Sequence, residues 1–375
     1  MKLKVWNILL CCLCYIILSA NLVSSASCLT PKARRGNCVH IDLCPKLRKL
    51  AYSAIISQED RQLLKSSICD DRKVCCEDSV VNESTSTISS RAKQRTTTMA
   101  TPPNDDLPNE TFCGIDYVRN RIFGGSATGL SQFRWTVALE YNVNGSREVN
   151  CGGTLINTRY VITAAHCVWS VTPEQLILRL GEWDLNQDPD CDEESNCNDA
   201  VRFEDVDQIV VHPSYNRSKT HDIALLRMKS FLPTNYTDHI SPVCLPQMKA
   251  FLSNSFSNSN VTVVGWGFTE AGKRSSLKMS TNLVTTSLPS CQRDLKSFLR
   301  GIVLSEAHIC AKPPGRNIRD ACRGDSGGPL MANLNGYWYL VGIVSFGPPC
   351  RRTQLPGVYT RVTSYMDWIR EIIST

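Results

Sequence analysis

A serine hydroxyl is a poor nucleophile at neutral pH, and three short stretches of this chain hold what would activate one. Ser326 lies in Gly-Asp-Ser-Gly-Gly-Pro (residues 324–329), His166 in Thr-Ala-Ala-His-Cys (163–167), and Asp222 opens Asp-Ile-Ala-Leu-Leu (222–226). A positioned imidazole can take the hydroxyl proton, and a buried carboxylate fixes its tautomer and stabilises its charged form. Any chain of this length contains the three residue types, so the flanking residues carry the argument. Gly324 lets backbone approach a reacting carbonyl closely, and Ala164 and Ala165 keep the space before His166 small.

These groups must be held by the chain around them, and 375 residues exceed one ordinary domain. Residues 1–26 read as a secretory signal: Lys2 and Lys4, an apolar run from Ile8 to Leu18, then small residues through Ser24 and Ala26. The run is too short to span a bilayer and no later stretch is long and apolar enough, so the expected product is secreted and extracellular, with no membrane partner. Of 19 cysteines, Cys11, Cys12 and Cys14 fall in the signal, which leaves sixteen. An even number in an oxidising compartment reads as disulfides rather than metal ligands. Asn82, Asn109, Asn144, Asn216, Asn235 and Asn260 each open a glycosylation sequon. A net charge of +6 is too dilute to point to nucleic acid.

Residues 27–76 form a block with Cys28, Cys38, Cys44, Cys69, Cys75 and Cys76, too short to bury a sufficient core without cross-links. Spacing alone leaves fifteen pairings open. Between Cys44 and Cys69, the run Leu47, Leu50, Ile55, Leu63, Leu64 could support a helix. The basic residues Lys32, Arg34, Arg35, Lys46, Arg48 and Lys49 read as a solvated face; a polyanion-binding role for this block would require salt-sensitive binding by the block alone. Residues 77–112, dominated by Ser, Thr, Asn and Pro, read as a linker, and 113–121 as a tether and activation segment. From 122 to 375, short β-branched and aromatic runs (134–139, 176–180, 261–266 and 337–345) alternate with turn residues, and helical periodicity shows only at 365–373. That pattern predicts an all-β barrel or sandwich.

The three motifs together resemble those of the chymotrypsin–trypsin family of serine proteases, from about Ile122 to the C-terminus. The closing Cys75-Cys76 doublet and the spacing before it resemble the clip domain that precedes many arthropod serine proteases. The resemblance implies two six-stranded antiparallel β-barrels with the catalytic groups in the cleft between them. It assigns Ser326 as nucleophile, His166 as general base and then acid, Asp222 as the carboxylate orienting His166, and the N–H groups of Gly324 and Ser326 as the oxyanion hole. Ser345 would support Asp222. Asp320 would form the floor of the specificity pocket with Gly347 and Gly357 as walls, which implies cleavage after Arg or Lys. Phe346 stands where the family usually has Trp, so altered substrate packing is expected. His221 reads as a surface residue.

The resemblance also makes Arg121-Ile122 an activation bond, with the freed Ile122 amine pairing Asp325. It implies the disulfides Cys28–Cys75, Cys38–Cys69, Cys44–Cys76, Cys113–Cys244, Cys151–Cys167, Cys291–Cys310 and Cys322–Cys350. Cys191 and Cys197 remain and most simply pair with each other. Glu182 opens the acidic insertion 182–194 where trypsins begin their calcium loop, so no cofactor is required and Ca2+ is a candidate ligand there. The expected function is a secreted trypsin-like endopeptidase zymogen in a haemolymph cascade of innate immunity, by melanisation or Toll-ligand processing. An upstream trypsin-like activator, serpin inhibitors and a downstream zymogen or pro-ligand are the implied partners. The alternatives are a non-catalytic clip-domain adaptor in the same cascade, which the intact Ser326, His166 and Asp222 oppose, and a protease of developmental patterning.

Overall fold

The computed structural model describes residues 27–30, 35–40, 44, 46–47, 63, 66–70, 73–77, 107–108, 112–116, 126–143, 145–216, 219–233, 236–247, 251, 256–268, 273–299, 301–315, 324–348 and 355–374. The chain divides into two units, Met1–Thr96 and Thr97–Thr375. Among the described residues no helix is long and apolar enough to cross a membrane.

In the first unit, strands β1 (Ser27–Leu29), β2 (Arg35–His40), β3 (Ile68–Asp70) and β4 (Lys73–Glu77) form an antiparallel sheet in the order β1-β2-β4-β3. Its buried apolar core is small: Cys44, Leu47 and Val74, with Val39 and Leu63 packed alongside. Three disulfides join Cys28 to Cys75, Cys38 to Cys69 and Cys44 to Cys76, the pairing the clip resemblance implies. Cross-links of this kind stabilise by restricting the unfolded chain where burial cannot suffice. Lys46, Leu47 and Leu63 are helical, and the rest of the expected Leu47–Leu64 helix lies outside the described residues.

In the second unit, β6 (Thr136–Val143), β7 (Ser146–Leu155), β8 (Tyr160–Thr163), β9 (Leu176–Leu180), β10 (Arg202–Val211) and β11 (Ala224–Met228) close into an antiparallel barrel, β10-β11-β8-β7-β6-β9. In β9 the sequence Leu-Ile-Leu-Arg-Leu alternates, and Leu176, Leu178 and Leu180 point into the core. A second barrel follows the order β12 (Asn260–Gly265), β15 (Pro329–Leu334), β16 (Tyr337–Phe346), β17 (Gly357–Arg361), β14 (His308–Lys312), β13 (Met279–Thr286), closed by pairing of β12 with β13. Short β5 (Ser126–Ala127) adds to the edge of β13. Closure removes the unpaired strand edges that would otherwise recruit other chains.

Helix α1 (Ala165–Val168) carries His166 out of β8. Helices α2 (Leu288–Asp294) and α3 (Lys296–Leu299) have no counterpart in the sequence expectation. They are too short to show a 3.6-residue period, and α2 is fastened to β14 through Cys291–Cys310 (2.05 Å). The expected C-terminal helix is α4 (Met366–Ile373), preceded by a 3-10 turn at Val362–Tyr365. Its buried Met366, Ile369 and Ile373 recur on one face and join the first barrel's core, so the end of the chain clamps the opposite half of the fold.

The segment before the activation bond lies on the second unit. Cys113, 1% exposed, is bonded to Cys244 at 2.05 Å. Gly114 N–H donates to Pro242 O (2.8 Å), Trp338 N–H to Gly114 O (2.9 Å), and Arg134 Nη2 to Ile115 O (2.8 Å). Protein cut after Arg121 is therefore expected to run as one band on a nonreducing gel and as two after reduction. Two bands without reductant would refute the Cys113–Cys244 link.

Candidate active site

His166 and Asp222 come from different strands of the first barrel and meet at its rim. His166 Nδ1 lies 2.7 Å from Asp222 Oδ2, and His166 N–H donates to Asp222 Oδ1 at 2.8 Å. A carboxylate only accepts, so Nδ1 carries the proton and Nε2 is left to receive one. The second barrel completes the cradle. Ser345 Oγ donates to Asp222 Oδ2, and Thr360 Oγ1 donates to the Asp222 carbonyl at 2.8 Å. Asp222 is 1% exposed. Burial raises its pKa, but the bonds and charge of His166 outweigh that and, with Ser345, hold the carboxyl below the usual range.

Ser326 sits in a turn from Gly324 to Gly328 that is fixed to both barrels. Its carbonyl accepts from Gly152 N–H (2.8 Å) in the first barrel, while Gly327 N–H donates to Val344 O (2.8 Å) in the second. The turn lies against the base of α1: a Cβ on Gly327 would come within 2.2 Å of Thr163 Oγ1 and 3.2 Å of Ala164 N. The disulfide Cys151–Cys167 (2.01 Å) ties the strand that receives the Ser326 carbonyl to the residue after His166. Cys151, His166 and Cys167 are thus close enough to suggest metal ligation, but the two sulfurs are already bonded to each other. Gly324 has φ of 102°, a conformation that glycine adopts without strain.

Asp325 accepts from Gly267 N–H at 2.8 Å. A Cβ on Gly265 or Gly267 would meet its carboxylate at 2.3 Å, so both glycines are needed for its approach. Gly347 and Gly357 face each other, with a Cβ on Gly347 falling 3.3 Å from Gly357 Cα. Phe346 is buried, with Lys219 Nζ 5.0 Å from its ring centroid. Arg121, Ile122, Asp320, Cys322 and Cys350 lie outside the described residues, as do Asn82, Asn109, Asn144 and Asn235. Asn216 and Asn260 are exposed. Cys191 and Cys197 are bonded at 2.08 Å.

Residues 122–369 match the trypsin family, and residues 28–76 match the regulatory CLIP domain of proteinases. The chain belongs to the clip-domain serine proteases of the trypsin family. It is 36% identical to Serine protease 7 of Drosophila melanogaster, with 96% of each chain covered. It is 37% identical to phenoloxidase-activating enzyme 1 of Spodoptera litura, over 94% of this chain and 95% of that one. The crystal structure of the Drosophila Grass clip serine protease of the Toll pathway superposes with a TM-score of 0.63 at 26% identity, covering 93% of this chain and 98% of that one. The protein is a trypsin-like serine endopeptidase.

Sequence reasoning missed several of the protease's neighbours to the site. His221 is half-buried rather than a surface residue. Its ring stacks on His212 (centroids 5.0 Å, 6° between planes), and its Nδ1 lies 3.2 Å from the Tyr365 hydroxyl. These rings fill the space behind Asp222; burial, with the Asp222 charge adding, pushes the Tyr365 hydroxyl up to about 12. Burial, and then the neighbouring His221, lowers the pKa of His212. Arg274 lies beside the nucleophile turn, its Nη2 3.0 Å from where a Cβ on Gly324 would stand. Burial lowers its pKa and attraction to Asp325 works the other way. No local motif marks Thr360, His212, Tyr365 or Arg274, because their partners lie far away in the sequence.

Proposed function

We propose that the intact chain is a zymogen activated by cleavage of Arg121–Ile122, and that the product cleaves protein substrates after Arg or Lys. In this reading His166 Nε2 takes the proton of Ser326 Oγ as it attacks the substrate carbonyl. Asp222 keeps His166 in the required tautomer and stabilises the imidazolium. The N–H groups of Gly324 and Ser326 receive the developing oxyanion, each such donor stabilising the transition state by roughly 3–4 kcal/mol. Asp320 pairs with the substrate cation, and the facing Gly347 and Gly357 leave width for a long side chain. The freed Ile122 amine pairs with Asp325, whose carboxylate lies beside Ser326 and Gly267.

The observation that carries this reading is the 2.7 Å contact between His166 Nδ1 and Asp222 Oδ2, buried beneath a serine turn bound to both barrels. The experiment is cleavage after Arg121 followed by assay on peptide amides. Hydrolysis of Arg and Lys amides, with Phe amides left intact and the uncut chain inert, is expected. The opposite preference removes the Asp320 assignment, and equal activity of the uncut chain removes the zymogen.

The protease acts outside the cell, within a cascade, on a downstream zymogen or pro-ligand. It is opened by a trypsin-like activator, is subject to serpins and needs no cofactor. Similarity to a phenoloxidase-activating enzyme supports melanisation, and likeness to a Toll-pathway protease supports Toll-ligand processing. Profiling of haemolymph proteins cut by the activated enzyme separates these outputs.

A further inference from the structure

The acidic segment after β9 is charge-balanced by the protein itself. Glu182 and Asp190 are both 0% exposed. Asp190 Oδ2 and Oδ1 accept the N–H groups of Trp183 (2.6 Å) and Asp184 (2.8 Å). Glu182 Oε2 lies 2.6 Å from Arg179 Nη2, and neither of its carboxylate oxygens has a well-directed hydrogen bond among the described residues. Its charge is therefore met by nearby cations rather than by directed donors. The second cation is Lys278, 2% exposed, whose Nζ donates to the Glu182 carbonyl at 3.1 Å. Asp190, Glu182 and Asp116 all attract this ammonium.

A buried ammonium without such partners would be costly, and so would two buried carboxylates without cations. Ca2+ takes six to eight oxygen ligands. Here one carbonyl oxygen is occupied by Lys278, one carboxylate oxygen faces Arg179, and both Asp190 oxygens hold N–H groups. A divalent ion placed among them would meet two resident positive charges. The donor set does not fit calcium.

We propose that the Lys278 ammonium is the resident cation of the Glu182–Asp190 segment, so that the segment folds without a metal ion. Main-chain bonds fix the lysine in place: Lys278 N–H donates to Trp183 O (2.7 Å) and Leu185 N–H to Ser276 O (3.0 Å). Trp266 Nε1 also donates to Trp183 O (3.1 Å), and Trp266 precedes Gly267, the donor to Asp325. The ammonium thus supports the wall against which Asp325 rests. Through Asp116 it also reaches the segment that precedes Arg121.

Thermal unfolding of the full-length protein, followed by tryptophan fluorescence because Trp183 and Trp266 flank the site, tests the proposal. The probe is calcium at about 1 mM, the range that extracellular modules bind, against a chelator. The unaltered protein is expected to unfold at the same temperature in both. Lys278→Met is expected to lose several degrees in chelator and to recover part of the loss with calcium. Lys278→Met combined with Glu182→Gln is expected to regain stability and to ignore calcium. A calcium-dependent rise in the unaltered protein overturns the proposal, as does a Lys278→Met protein as stable as the parent. If Lys278→Met fails to fold, the double variant decides: folding supports the charge balance, and failure to fold overturns it.

Discussion

Ser326→Ala in the cleaved protease is expected to lower turnover of an Arg amide about a millionfold, the scale on which removing a triad nucleophile acts in such enzymes. The loss should fall on kcat, because Ala removes the attacking oxygen and leaves the Gly347–Gly357 walls in place. The Ser326 carbonyl bond to Gly152 N–H and the Gly327 bond to Val344 are made by backbone, so the turn should persist and the variant should unfold at the parent's temperature. Turnover within a hundredfold of the parent would mean that another group attacks the carbonyl.

Asp222→Asn is expected to cost about ten-thousandfold in turnover. An amide in place of the carboxylate can present an N–H to His166 Nδ1, which then accepts and leaves Nε2 protonated and unable to serve as base. Ser345 Oγ and Thr360 Oγ1 continue to hold the site, so the geometry should survive while the chemistry fails. The same substitution should change acid stability in a defined direction. Because the folded pKa of Asp222 is depressed, its charge stabilises the fold above its unfolded pKa, and that contribution is lost as pH falls through the folded value. The stability difference between parent and Asp222→Asn should therefore be full at neutral pH and shrink in acid. Kinetics on Arg amides and unfolding across pH read the two effects separately, and unchanged turnover would sink the proposed role.

The two readouts together separate a positioning fault from a packing fault. A packing fault would lower stability at every pH and leave the residual turnover unrelated to tautomer. A tautomer fault leaves the protein folded and slow.

Much of this protein was legible before any coordinates. His166, Asp222 and Ser326 each sit in a motif whose neighbours are needed for local reasons: small residues before the imidazole, glycines around the serine. Such requirements act over a few residues and so leave a mark in the sequence. The all-β class was legible for the same reason, since alternation as in Leu176–Leu180 is a local consequence of the pleat. The disulfide pairs of the first unit needed more than spacing; the resemblance supplied what fifteen possible pairings left open.

Helices α2 and α3 escaped because one or two turns carry no readable period. The half-burial of His221 escaped because its partners His212 and Tyr365 come from β10's end and from the chain's last turns. The sequence by itself determined the family, the all-β class and the residues able to carry the chemistry, because those depend on motifs and on local periodicity. Only the tertiary structure decided how the charges are matched. Lys278 reaches the Glu182 carbonyl across 96 residues and Thr360 reaches Asp222 across 138. Burial makes an unpaired charge costly wherever its partner lies in the chain, and no local rule records which distant residue answers it.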